Sequence, residues 1–489
     1  MRQLCSARPS SSIAALALLA AAIPASADLT FSVEGTWDTA QRRQAAVDAM
    51  TNAVGHYNAH GGFNKHLRVT YNSGVPTADG NYNGSIRFGG SYPSTGLALH
   101  EIAHTLGVGT TQAYQNNRNS NNNKWTGPNA IEKVEQFDGL GSQLNADNFH
   151  FYPYGLNYSN EYSTLNFDRH VATVYQMGRD MNLSPFTSAA NFDSVVTLTA
   201  NDPNGQSSFN RNARWSDGQF AHEGAAYFTG DFQLRTPSQD ANFRFAGDSL
   251  TLNNTVNTAS DTLNGLVFIT PGGNDDRATI TVDNLILDGG SVANRGNETQ
   301  TTFRLDGNVD VVSSGTFHPH RGRIDVFSAL HGDGDLTILP GQTPDDTLQA
   351  VRFWSPDSTF SGNLHVDGGR FGLANGAAFN FDLNADGTGN AITGDEARLV
   401  YLDGVFNLSL PDDPMAGISW SLVDVNPSTR YYGPNFDISG FTRDGGTWTD
   451  GTYTFTQSTG LLTINAIPEP ATAGLLLTGA GLLLLRRRA

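Results

Sequence analysis

Residues 191–466 carry almost none of the chemistry that a helix surface needs, and this limits the fold more than any other feature. Across the 489 residues the 47 acids divide into 38 Asp and 9 Glu, and the 29 bases into 26 Arg and 3 Lys, beside 53 Gly. Asp, Asn and Gly serve turns, whereas Glu and Lys serve helix surfaces, so a long helical protein is excluded. Short alternating segments (Phe243-Arg244-Phe245, Ser249 to Leu252, Thr279 to Leu287, Phe303 to Val312, Leu364 to Leu373) are separated by Gly, Asp and Asn turns. Strands recurring about every 10–25 residues with no helix between them imply a sandwich, a barrel or a solenoid.

Residues 28–185 read differently. Asp28 to Glu34 alternates like a strand, and Asp38 to His60 places Ala46, Val47, Met50, Val54 and Tyr57 at helical spacing before Gly61-Gly62. Strands are expected at His66 to Tyr71 and Ser85 to Phe88, the latter edge-like, and further helices at Ser94 to Leu106 and Phe167 to Met181. The expected chain is multidomain: an α+β domain over 28–185, lead-in strands over 186–240, a solenoid-like region over 241–380 and a C-terminal β unit over 381–466.

Both ends read as targeting segments. Arg2 and Arg8, the apolar run Ile13 to Ile23 and Pro24-Ala25-Ser26-Ala27 form a secretory signal peptide over 1–27, with cleavage expected after Ala27. The one cysteine, Cys5, lies inside it, so the mature chain holds its fold without disulfides. At the other end Ile467-Pro468-Glu469-Pro470, a short apolar run to Leu485 and Arg486-Arg487-Arg488 resemble the PEP-CTERM sorting signal of Gram-negative bacteria. That resemblance implies an exosortase-type sorting enzyme as partner, transient membrane association through the tail 467–489, and delivery to the cell surface or extracellular matrix. Without the two ends the formal charge moves from −18 to about −22, which repels phosphate backbones and argues against a nucleic-acid partner.

Within the β region, Leu330 to Ile338 (LHGDGDLTI) and Thr359 to Gly369 (TFSGNLHVDGG) resemble the autotransporter-associated β-strand repeat. That family implies a right-handed parallel β-helix; the alternative is an antiparallel β-sandwich.

The chemistry is carried by His100-Glu101-Ile102-Ala103-His104. Residues four apart share a helix face, so both imidazoles can converge on one cation. Glu101, about a third of a turn around, can reach a water on that cation and act as general base. The longer string HEIAHTLGVGT, His100 to Thr110, resembles the zincin metallopeptidases, in particular the metzincin pattern H-E-x-x-H-x-x-G-x-x-H. The resemblance implies Zn²⁺ on His100 and His104, Glu101 as catalytic base, Gly107 at the turn after the helix, and a protein or peptide substrate. Thr110 stands where that pattern has its third ligand, and it is a poor zinc ligand. His150, in the aromatic stretch Asn145 to Tyr158, is the favoured replacement; Glu161 and His170 are the alternatives, with Asp138 and Asp147 behind them. Tyr152, Tyr154 and Tyr158 are candidate oxyanion donors.

Two functions compete at this point. One is an exported zinc endopeptidase displayed at the cell surface; the other is a non-enzymatic surface or matrix protein whose degenerate peptidase domain serves for binding.

Overall fold

The computed structural model describes residues 28–183, 192–239, 241–253, 265–269, 278–296, 301–343, 348–412, 414 and 417–465. The expected signal peptide and sorting tail lie outside these residues. The fold is mixed α/β, with few helices and a large region of parallel strands.

The first lobe begins with β1 (Thr30–Val33), α1 (Ala40–His60), β2 (His66–Tyr71), β3 (Ala78–Asn81), β4 (Ser85–Phe88) and α2 (Thr95–Thr105). Thr39 caps α1 by accepting from the Arg42 N–H at 3.1 Å, and Ser94 caps α2 by accepting from Leu97. The sheet runs β1-β2-β4-β3, parallel except for the antiparallel β3. This corrects one expectation: Ser85–Phe88 is an inner strand, and the edge is Ala78–Asn81, which reads in sequence as a turn. Ala-Asp-Gly-Asn has no strand propensity. It pairs because Gly80 lets the backbone lie against α2, where a Cβ would collide with the Glu101 carbonyl.

Next come α3 (Gln112–Asn116), β5 (Arg118–Asn119), β6 (Lys124–Trp125), α4 (Pro128–Asp138), β7 (Asn145–Ala146), β8 (Phe151–Tyr152) and α5 (Thr164–Met181). The four two-residue strands form an antiparallel ribbon. One apolar core, from Leu29 to Met181, serves this lobe, and a separate one, from Val196 to Leu462, serves the β region.

In the β region the chain alternates between two sheets. Among the described residues a 12-stranded sheet extends from Val195–Thr197 to Arg430–Tyr432, and an 8-stranded sheet from Gln233–Arg235 to Val423–Val425. Pairing in both is parallel, so an antiparallel sandwich has no place here. Alternate side chains stack inward in columns, such as Tyr227, Leu250, Leu285, Val309 and Leu330 in one sheet and Leu266, Val292, Phe317, Ile338 and Val366 in the other, all buried. At about 25 cal/mol per Å² of apolar surface, such columns replace the missing disulfides. Outside, partners 28 residues apart stack, as in His331 with Thr359 and His365 with Thr393. The two repeat-like strings meet in register, Leu336 beside Leu364 and Ile338 beside Val366.

The segment expected as a lead-in supplies Val196, Trp215, Tyr227 and Leu234 to the same core, and the parallel sheets continue past residue 381. A five-stranded antiparallel sheet, drawn from Ser419–Ser421 and 442–464, closes the C-terminal end.

The two lobes meet at a mixed seam, where Phe137 and Ala172 pack on Phe220 beside polar contacts. Gln136 Nε2 donates to Ala221 O at 2.9 Å, and Arg169 donates to Asn210 O at 3.1 Å. Lys133 is buried there, its Nζ 2.6 Å from Gln136 Oε1, and burial pushes its ammonium down to about 8. Below pH 8 both folded and unfolded chains carry this proton and the burial penalty, about 3 kcal/mol, is felt in full. Between pH 8 and 10.5 the unfolded chain holds more protons, so stability rises with pH. Lys133→Met is therefore expected to gain about 2 kcal/mol at pH 7, after about 1 kcal/mol is lost at Gln136 Oε1, and to flatten the alkaline rise. Urea melts of both proteins at pH 7 and 10 check this; equal slopes against pH would refute it.

Candidate active site and metal centre

Helix α2 buries Ala98, Leu99, Ile102 and Ala103 against the lobe and turns His100, Glu101 and His104 toward a cleft of about 670 Å³. The helix ends cleanly. Gly107 takes φ +112°, and Thr110 Oγ1 donates to the His104 carbonyl at 2.6 Å. Thr110 thus finishes the helix.

Both helix histidines have their tautomers set from outside. His100 Nδ1 lies 2.8 Å from Gly155 O, and His104 Nδ1 lies 2.8 Å from Val108 O. A carbonyl only accepts, so each Nδ1 carries the hydrogen and each neutral ring keeps a lone pair on Nε2. Those two Nε2 atoms face each other at 3.2 Å. Burial, reinforced by the neighbouring imidazole, pushes His100 down to about 3, and burial lowers His104 as well. Two lone pairs at that distance repel unless a cation sits between them, and this is what a metal-binding pair requires.

The hairpin of β7 and β8 brings the third imidazole. Its turn, residues 147–150, is fixed by Asp147 Oδ1, which accepts from the Phe149 and His150 N–H groups at 2.7 Å each. Burial pushes Asp147 up, but those two bonds and His150 outweigh it, and the carboxyl ends below its usual range. Gly109, φ +67°, lets the post-helix loop touch this turn where a Cβ would strike the Phe149 carbonyl. The ligand atoms of His100, His104 and His150 lie within 4.8 Å of one another. Asp147 stands 3.5 Å from His150 Nδ1.

The alternatives for third ligand are engaged elsewhere. His170 is fully buried beneath α2, its Nδ1 2.7 Å from Tyr154 O and its Nε2 3.1 Å from Leu99 O and 3.0 Å from Tyr57 Oη. Glu161 accepts from the Asn157 N–H at 3.1 Å. Asp138 accepts from Tyr154 Oη, which removes Tyr154 from the oxyanion candidates and leaves Tyr152 and Tyr158 lining the cleft.

Glu101 is 3% exposed, and its Oε2 has no hydrogen-bond partner. Burial, then the charge of Asp79, pushes its carboxyl up to about 8 against one N–H bond from Gly80. A carboxyl beside the imidazole pair that can change protonation near neutrality suits general acid–base work. The β3 edge, through Asp79 and Gly80, forms one wall of the cleft.

A second group able to hold a metal ion lies outside the cleft, at His56, His60 and Asp168. The sequence reading passes over it, although His56 and His60 stand four apart on α1. No family model matches the chain, and neither a curated protein nor a solved structure does.

Proposed function

We propose that this chain is an exported zinc-dependent endopeptidase, with a zincin-like first lobe carried on a right-handed parallel β-helix. The observation that supports it most is the His100–His104 pair, whose Nε2 lone pairs face each other beside a buried carboxyl group with an unpartnered Oε2. His100, His104 and His150 would hold the ion. Bound there, zinc supplies Lewis acidity toward a substrate carbonyl and toward water.

The chain's own groups do the rest. Glu101 Oε2 takes a proton from the attacking water and returns it to the leaving amine. Tyr152 or Tyr158 donates to the developing oxyanion. The β3 edge offers backbone groups to an extended peptide, which favours a protein or unfolded segment as substrate. The signal peptide and PEP-CTERM-like tail support delivery to the cell surface through an exosortase-type enzyme.

The purified chain is expected to cleave unfolded casein, to lose that activity to a zinc chelator and to regain it with Zn²⁺ but not Mg²⁺ or Ca²⁺. Cleavage that survives complete chelation would sink the proposal. So would a zinc-loaded chain that cleaves nothing, an outcome that favours the non-enzymatic surface protein instead.

A further inference from the structure

The seam between the lobes also holds two histidines that converge on one carboxylate. Asp168, on α5, places Oδ1 2.8 Å from His56 Nδ1 and 3.1 Å from His60 Nε2, while its Oδ2 accepts from Asn212 Nδ2 at 3.1 Å. The orientation of His60 is set from the β region. Gln219 Nε2 donates to Ala59 O at 2.7 Å, so its Oε1 is the atom facing His60 Nδ1 at 3.2 Å. An amide oxygen only accepts, and His60 Nδ1 therefore carries the hydrogen. The Nε2 of a neutral His60 then points a lone pair at the Asp168 carboxylate, a contact that either a proton on His60 or a metal cation between the two relieves.

We propose that His56, His60 and Asp168 bind a second divalent transition-metal ion, of the zinc class, at the junction of the two lobes. The geometry meets three requirements. Two histidines four apart on one helix offer imidazoles on one face. A carboxylate from a second helix completes a two-histidine, one-carboxylate set of the kind zinc accepts. All three ligand atoms lie within 4.8 Å of one another. The outer partners also fit, because Gln219 orients His60 and Asn212 holds the free carboxylate oxygen, and both belong to the β region. The ion ties the lobes together and takes no part in peptide cleavage.

The test uses the full chain carrying His100→Ala and His104→Ala, which removes the cleft site. Stripped of metal and titrated with Zn²⁺ alone, it is expected to take up one equivalent and to melt at a higher temperature. Adding Asp168→Asn or His60→Gln, each of which keeps a side chain in the space, is expected to lose both the equivalent and the shift. No uptake in the cleft-less background overturns the proposal, as does uptake that survives both further changes. A plain imidazolium–carboxylate contact would give no zinc-dependent shift. None of these readings depends on peptidase activity, so failure of the endopeptidase assignment remains a separate result.

Discussion

Glu101→Gln is expected to lower kcat/KM for casein by about 10²–10⁴-fold, the usual contribution of a positioned general base, while zinc stays bound at the cleft. The change keeps the shape of the side chain and its contact with the Gly80 N–H, and removes only the ability to accept a proton. A thousandfold loss corresponds to about 4 kcal/mol of transition-state stabilisation. The other imidazoles and carboxylates of the cleft are committed: the three histidines would be occupied by the metal, Asp79 is paired with Arg87, and Asp147 holds its own turn. Steady-state kinetics with zinc analysis of the same sample decides the matter. Undiminished turnover refutes the role, and loss of zinc together with activity assigns Glu101 to building the site.

The second large effect separates two histidines that sequence alone left as rivals. His150→Ala is expected to abolish cleavage and to weaken cleft zinc by more than the 10–100-fold typical of outer-shell losses, because two imidazoles leave the site one protein ligand short. The metal-free protein should melt almost unchanged, since His150 sits partly exposed on a turn whose backbone is held by Asp147. His170→Ala should do the reverse. It strips the donor from Tyr154 O and the imidazole from beside Tyr57 Oη inside the core, at a cost of about 2–4 kcal/mol, and leaves the ligand set intact. Zinc retained at the cleft by His150→Ala would remove it from the ligand set.

Much of this was legible in the sequence, for identifiable reasons. Helices α1, α2 and α5 announce themselves by periodicity, although the cap Ser163 starts α5 at Thr164, three residues before the expected Phe167. The spacing of His100 and His104 follows from helical geometry alone. His150 was nominated by its surroundings, but its arrival at the cleft depends on two-residue strands, β7 and β8, too short to leave a periodic trace. Strand β3 was hidden because Asp79 and Gly80 read as turn residues, and only contact with α2 makes them an edge. Helix α4 was missed although Pro128 opens it and Gly139, at φ +100°, ends it. In the β region, alternation predicts strands but is the same for parallel and antiparallel neighbours. The difference lies in which sheet the next strand joins, a long-range choice. The second metal group shows the same limit: His56 and His60 are a local pattern, but Asp168 lies 112 residues after His56.

Stacked parallel strands have two open ends, and an open end is a template on which another copy can continue the ladder. Among the described residues each end meets further chain. At one, the residues around Trp215 and Ala221 fold against the first strands and are gripped by Gln136 and Arg169 of the helical lobe. At the other, Gly460 O accepts from Leu422 and Val423, and Arg430 donates to Ser458 O, so a turn of the antiparallel sheet packs on the last parallel strands. The lobe that carries the cleft thus holds in place the segment that covers the first strands. A truncated chain beginning within the parallel sheets would expose a bare ladder and be prone to polymerise, whatever its catalytic state.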